Sequence, residues 1–268
     1  MKADELIRAG KLDEALTSLK EAVRDDPAES RLRVFLFQLL SVLGDWDGAL
    51  AQLNVLAEMN ADCMLLARMY RPALLCEALR PEIFAGKRTP LIFGEPAEWV
   101  EWLLQALKLL NEGKVEAAAE LRDRAFEAAP AVSGLANGKP FEWIADADTR
   151  LGPILEAIVD GNYYWIPFQN IRDIRIEKPQ DLRDAVWLPA YFTWANEGKA
   201  AGLIPTRYVG SEQNADPAIR LARKTDWQDL GHGVACGAGQ RTFATDAAEH
   251  PLLETRQIAL NAGQPAHS

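Results

Sequence analysis

Leu12, Ala15, Leu16, Leu19 and Val23 are apolar positions among polar neighbours, spaced by one, three and four residues. That spacing puts them on one face of an α-helix. Moved 34 positions along the chain, the stripe reads Trp46, Ala49, Leu50, Leu53 and Ala57. The surrounding residues echo as well: Gly10-Lys11-Leu12-Asp13-Glu14-Ala15-Leu16 answers Gly44-Asp45-Trp46-Asp47-Gly48-Ala49-Leu50. Asp26-Pro27 stops the first of these helices, because proline disfavours the α conformation in the residue before it. A second run, with Leu32, Phe35, Leu36, Leu39, Leu40 and Leu43, begins near Ser30 and is closed by Gly44.

A period of 34 residues is that of the tetratricopeptide repeat, a helix pair that buries its apolar face only by stacking on its neighbours. A worn third copy stands at Gly113-Lys114-Val115-Glu116-Ala117-Ala118, preceded by an expected helix over Glu98 to Leu110. Here Arg122 takes the place of Leu19. Asp62 to Ala85 reads as one helix or two, interrupted by Pro72 and Pro81, and Gly86 to Pro96 as a long loop.

After Pro130 the periodicity changes. Ala131 to Pro140 reads as a linker, and Asp148 as the N-cap of a helix through Leu151, Ile154, Leu155 and Ile158 to Gly161. Beyond it the runs Tyr163–Phe168, Ile171–Ile176, Val186–Trp194, Gly202–Tyr208, Gln240–Thr245 and Thr255–Leu260 suggest strands, with Asn196-Glu197-Gly198-Lys199 turning a hairpin. The fold class expected is α+β. It comprises tetratricopeptide-like helical repeats over 1–130, a linker at 131–140, and a mainly antiparallel, barrel-like β domain with one packed helix over 141–268.

Composition narrows the function. Hydrophobic residues make up 49% and charged residues 25%, enough for a sizeable core. The net charge of −10 is spread over both halves, which argues against nucleic acid and anionic membranes as partners. No apolar run reaches the ~18 residues of a membrane span. No signal-peptide pattern opens the chain, and the three scattered cysteines do not make a disulfide framework, so a cytoplasmic protein is expected.

Catalytic patterns are weak. Glu142, Asp146 and Asp148 are the densest carboxylate group, but no calcium-loop spacing follows, and capping or pairing with Arg150 is the simpler reading. Glycines 231, 233, 237 and 239 lack the Lys and Ser/Thr of a phosphate loop and read as a flexible loop. His232, His250 and His267 match no zinc pattern, and His232 with Cys236 is a weak nucleophile–base pair. No cofactor or metal is expected, and no enzymatic activity. The aromatic runs around Tyr163 and Trp187 offer binding anchors, although strand alternation buries about half of such residues.

Several stretches resemble the ImpE/SciE family, also called TagJ. They are Leu32–Leu40 with Leu43–Trp46, Arg88–Gly94, Phe141–Asp148, Tyr163–Phe168 and Asp184–Pro189. The resemblance implies a non-enzymatic cytosolic accessory protein of the bacterial type VI secretion system. It further implies binding to an exposed helix of the small sheath subunit, laid in a groove, and an indirect link to the AAA+ ATPase that disassembles the sheath. Partner contacts are then expected at Arg88, Phe93, Trp143, Asp146, Asp148, Arg150, Tyr163, Tyr164 and Trp187. The alternatives are a general peptide-binding scaffold with another partner and a divalent-metal enzyme using Glu142, Asp146 and Asp148.

Overall fold

The computed structural model describes residues 2–95 and 97–262; Pro96 of the expected loop and His267 lie outside them. The helical half opens with α1 (Lys2–Arg8), α2 (Leu12–Asp25), α3 (Ser30–Leu43), α4 (Trp46–Met59) and α5 (Ala61–Phe84). Leu12, Ala15, Leu19 and Val23 of α2 and Ala49, Leu53 and Leu56 of α4 are buried, so the repeated stripe is the core face. Gly44 closes α3 at φ +74, where its N–H reaches the carbonyls of Leu40 and Ser41. Asp45 then starts α4 by accepting the Gly48 N–H at 2.9 Å. Asp62 to Phe84 lies in one helix, α5; it runs through Pro72 and Pro81, with Tyr70, Ala73, Leu74 and Ile83 buried on its packed side. A two-residue strand, β1 (Leu91–Ile92), precedes α6 (Glu98–Asn111) and α7 (Val115–Ala128), the worn third copy.

The remaining strands are β2 (Gly134–Ala136), β3 (Lys139–Phe141), β4 (Ile144–Asp146), β5 (Ile154–Val159), β6 (Asn162–Pro167), β7 (Ile171–Ile176), β8 (Trp187–Trp194) and β9 (Lys199–Pro205). A one-turn helix α8 (Pro217–Arg220) follows, then β10 (Thr225–Asp229), β11 (Ala235–Gly239), β12 (Thr242–Thr245), β13 (Glu249–Pro251) and β14 (Gln257–Leu260). Nine strands form one sheet in the order β1-β6-β5-β9-β8-β7-β14-β2-β3, antiparallel except for β1 on β6. The sheet is open, with β1 and β3 at its edges, rather than the barrel expected. Strands β13-β12-β4 and β10-β11 form two small sheets beside it. The hairpin expected across Asn196–Lys199 is β8–β9.

Three further expectations are corrected. The helix from Asp148 to Gly161 is instead a turn followed by β5, all six of whose residues are buried. Ile154 and Ile158 point to one core with the helices, while Leu155, Ala157 and Val159 point to a second core. A strand covered on both faces is a continuous apolar run, and over six residues its spacing does not differ from a buried helix. The linker at 131–140 holds β2 and β3, which join the sheet through β14. The glycine-rich loop after Gly231 holds β11, paired with β10 along its whole length.

The sheet is therefore the middle layer. Its one face shares a core with the helical half through Ile154, Ile158, Tyr163, Trp165, Trp187 and Leu203. Its other face packs on Phe141, Ile144, Phe243, Leu252 and the remaining β residues. At the join, Gly161 has φ +77 and a Cβ there would lie 3.1 Å from the Pro72 side chain of α5. Only glycine combines that backbone with so close an approach.

Candidate protein-interaction surface

The seam between α5 and the sheet is charged, and it is buried. Arg80 of α5 sends Nε and Nη2 to the two oxygens of Glu156 on β5, at 2.8 and 3.2 Å, and Nη1 to Glu77 at 2.9 Å. Its Nη2 also donates to the Arg207 carbonyl at 3.0 Å. Glu77 in turn accepts from the Trp187 indole at 3.0 Å. Strands β5 and β9 pair only at their Ile158 and Val159 end, and Arg241 fills the place where they part. It donates to the Pro205 carbonyl at 2.9 Å and to the carboxylates of Glu156 and Asp146. Tyr163 donates to Glu156, and Tyr208 donates to Asp146 at 3.0 Å. Arg207 reaches the end of α3, donating to the Val42 carbonyl at 2.8 Å.

Buried charges persist only when paired and fully hydrogen-bonded, and this network meets that condition. Burial pushes the Glu156 carboxyl up, but Arg80 and Arg241 reverse the shift and hold it down at about 2. For Asp146 burial prevails over Arg241, and the nearby Asp148 adds to it, raising the group to about 7. Burial likewise raises Glu77 against the pull of Arg80.

This network accounts for much of the expected contact set. Asp146, Asp148, Tyr163 and Trp187 are buried, and none can meet a partner in this structure. Trp187 packs on Tyr70 and Trp46 of the helices. Asp148 is no helix cap: it accepts from Arg150 Nε at 2.9 Å and from the Gly237 N–H at 2.9 Å. Arg150 is half-buried over the Phe84 ring. Phe93 and Tyr164 are half-buried and touch each other edge-on, with Phe93 also against Trp194. Arg88 and Trp143 stand exposed, but on separate segments. Glu142 is exposed while Asp146 and Asp148 point into the seam, so these carboxylates do not converge; among the described residues no group of three or more His, Cys, Asp or Glu is placed to hold a metal ion.

Arg80, Glu77, Glu156, Arg207 and Arg241 went unread in the sequence. A signal existed for three of them. Glu156 interrupts the apolar run Ile154–Val159, and Glu77 and Arg80 lie three apart among Ala73, Leu74, Leu75, Cys76, Ala78 and Leu79. Charges in such positions are almost never fully buried without partners.

Because α3 and α5 are packed against the second half, the chain itself covers the inner side of its repeats. The outer face of α5 remains open. Met64, Leu65, Met69 and Leu75 are exposed there, Leu65 by 62% and Leu75 by 65%. Beside them runs a groove of about 390 Å³ between α5 and the sheet, walled by Met69, Pro72, Ile158, Tyr191 and Leu203 with Arg68 and Asp160 at its rim. Contiguous exposed apolar residues are the kind of surface through which folded chains meet partners, and methionines adapt to varied partners. Among the described residues no helix is long and apolar enough to cross a membrane.

A family profile described as "ImpE protein" matches residues 138–259, and one described as "Tetratricopeptide repeat" matches residues 6–70. The type VI secretion system accessory component TagJ of Pseudomonas aeruginosa is 52% identical over 258 residues, spanning 96% of this chain and 90% of its own. The crystal structure of protein VPA1032 from Vibrio parahaemolyticus has a TM-score of 0.87 to this chain at 26% identity, covering 97% of each. Helical repeats joined to this open sheet, and a relative so similar along almost the full length, lead to one conclusion: the chain belongs to the ImpE family.

Proposed function

We propose that this chain is a non-catalytic cytoplasmic adaptor of a bacterial type VI secretion system, which binds an exposed helix of the small sheath subunit and so influences sheath assembly or disassembly. The observation that carries the reading is the 52% identity, over 96% of the chain, to a type VI secretion accessory component. The outer face of α5 supports it. Exposed Leu65, Met69 and Leu75 beside an apolar groove suit an amphipathic helix laid alongside. Any link to the AAA+ disassembly ATPase runs through the sheath subunit.

The test is calorimetric binding of the purified chain to its cognate small sheath subunit, with and without that subunit's exposed helix. Binding that needs the helix supports the proposal, and no binding to either form sinks it. Leu65→Glu with Leu75→Glu should weaken binding at least ~30-fold, since each buried leucine contributes about 1.5–3 kcal/mol. An unbiased pull-down that returns another protein in place of the sheath subunit would favour a general scaffold.

A further inference from the structure

A second groove lies away from α5, where α2, α3 and α4 meet, with a volume of about 480 Å³. Its floor is apolar, formed by Val23, Leu36 and Leu40, and the small Ala51 and Gly48 of α4 leave it open. Its rim is basic: Lys20 and Arg24 from α2 and Arg33 from α3. On a chain with 39 acidic against 29 basic residues this is a local reversal of sign. Among the described residues, Lys20 and Arg33 meet no carboxylate, and Arg24 reaches only the neighbouring Asp25 at 3.9 Å, with both side chains 77% exposed. The one carboxylate lining the groove, Asp45, is engaged in capping Gly48.

Arg33 is held in place. Its Nε donates to the Pro27 carbonyl at 2.9 Å and its Nη1 to Gln52 at 3.2 Å, so its conformation is set before any ligand arrives. A pre-organised donor loses less freedom on binding than a free side chain. We infer that this groove receives an acidic amphipathic segment of another polypeptide, its apolar side on Val23 and Leu36 and its carboxylates on Lys20, Arg24 and Arg33. An extended polyanion such as nucleic acid is disfavoured, because the chain as a whole carries a net charge of −10. The inference is independent of the sheath-helix proposal and uses a different face.

The test is fluorescence anisotropy of the full chain with a labelled helical peptide of about four turns, built from Glu and Leu at helical spacing. A second peptide carries Lys in place of Glu. The Glu peptide should bind saturably and more weakly as salt rises, and the Lys peptide should not bind. Lys20→Glu with Arg24→Glu, both exposed positions whose change leaves the core intact, should weaken binding at least about tenfold. Ala51→Trp, which fills the groove without altering charge, should do the same. Leu65→Glu on α5 should leave the affinity unchanged. Equal binding of the two peptides, no response to the charge reversals, or no response to Ala51→Trp would each overturn the inference. So would a short single-stranded oligonucleotide that binds as tightly as the Glu peptide and is lost with the same substitutions.

Discussion

Replacing Arg80 by leucine removes the cation that ties α5 to the sheet. Four hydrogen bonds go at once: two to Glu156, one to Glu77 and one to the Arg207 carbonyl. Glu156 keeps Arg241 and Tyr163, but Glu77 is left with the Trp187 indole alone. Removing one member of a buried charged set costs about 3–5 kcal/mol, because the carboxylate left behind remains desolvated. That is a large part of the ~5–15 kcal/mol by which domains are stable. Arg80→Lys should recover little, since an ammonium cannot donate in parallel to both oxygens of Glu156 while also reaching Glu77. The double variant Arg80→Leu with Glu77→Gln should be less destabilised than the single one, as the stranded charge is gone while an amide oxygen still accepts from Trp187. Urea unfolding followed by tryptophan fluorescence and by helical circular dichroism gives the numbers, and Trp165 and Trp187 sit at the seam to report them. A loss below ~1 kcal/mol for Arg80→Leu, or a double variant worse than the single by the full cost of Glu77→Gln, would refute the reasoning.

Gly161→Val should destabilise by about 1–3 kcal/mol in the same assay, because it combines φ +77 with a Cβ pressed on Pro72. The folded Glu156 holds its proton less tightly than the unfolded chain, about 2 against 4.5. Its contribution of roughly 3 kcal/mol is therefore complete above pH 4.5 and lost as pH falls toward 2; the stability gap between the native chain and Glu156→Gln should narrow below pH 4.5. Arg122→Leu restores the apolar residue that the repeat carries at Leu19, yet it removes the donors to the Gly233 and His232 carbonyls. Hydrogen exchange should quicken at Gly231–Val234, with a stability loss of about 1 kcal/mol; unchanged exchange would contradict that role.

The helical half was legible because its signals are local. Leu12 to Val23 and their echo at Trp46 need only a helical period to be read, and Asp26-Pro27 and Gly44 mark ends by backbone chemistry alone. The β8–β9 hairpin was legible for the same reason. Strand β5 was not, because its two buried faces arise from layers contributed by residues more than a hundred positions apart, such as Leu53 on one side and Leu260 on the other. Four of the expected contact residues are buried for a parallel reason. Tyr163, Trp187 and Asp146 look like a surface motif only until α5 and Arg241 are brought over them, and Asp148 only until Arg150 and the Gly237 N–H of β11 close on it. Arg122 could be seen to break the repeat, but its carbonyl partners lie some 110 residues away.

The pairing of Leu91 and Ile92 with β6 is short, but it changes what the sheet offers at that edge. Without it, β6 would present a free row of backbone donors and acceptors, which is a template on which a foreign strand could grow. The α5–α6 connection lays β1 there instead. At the far margin β3 is only three residues long and carries Pro140, which has no N–H to offer. Both rims of the nine-stranded sheet are thereby short and blunted against strand addition. The large sheet thus serves as a covered middle layer rather than a docking edge, and the side chains that stay exposed on α5 offer contacts of a kind that backbone pairing does not.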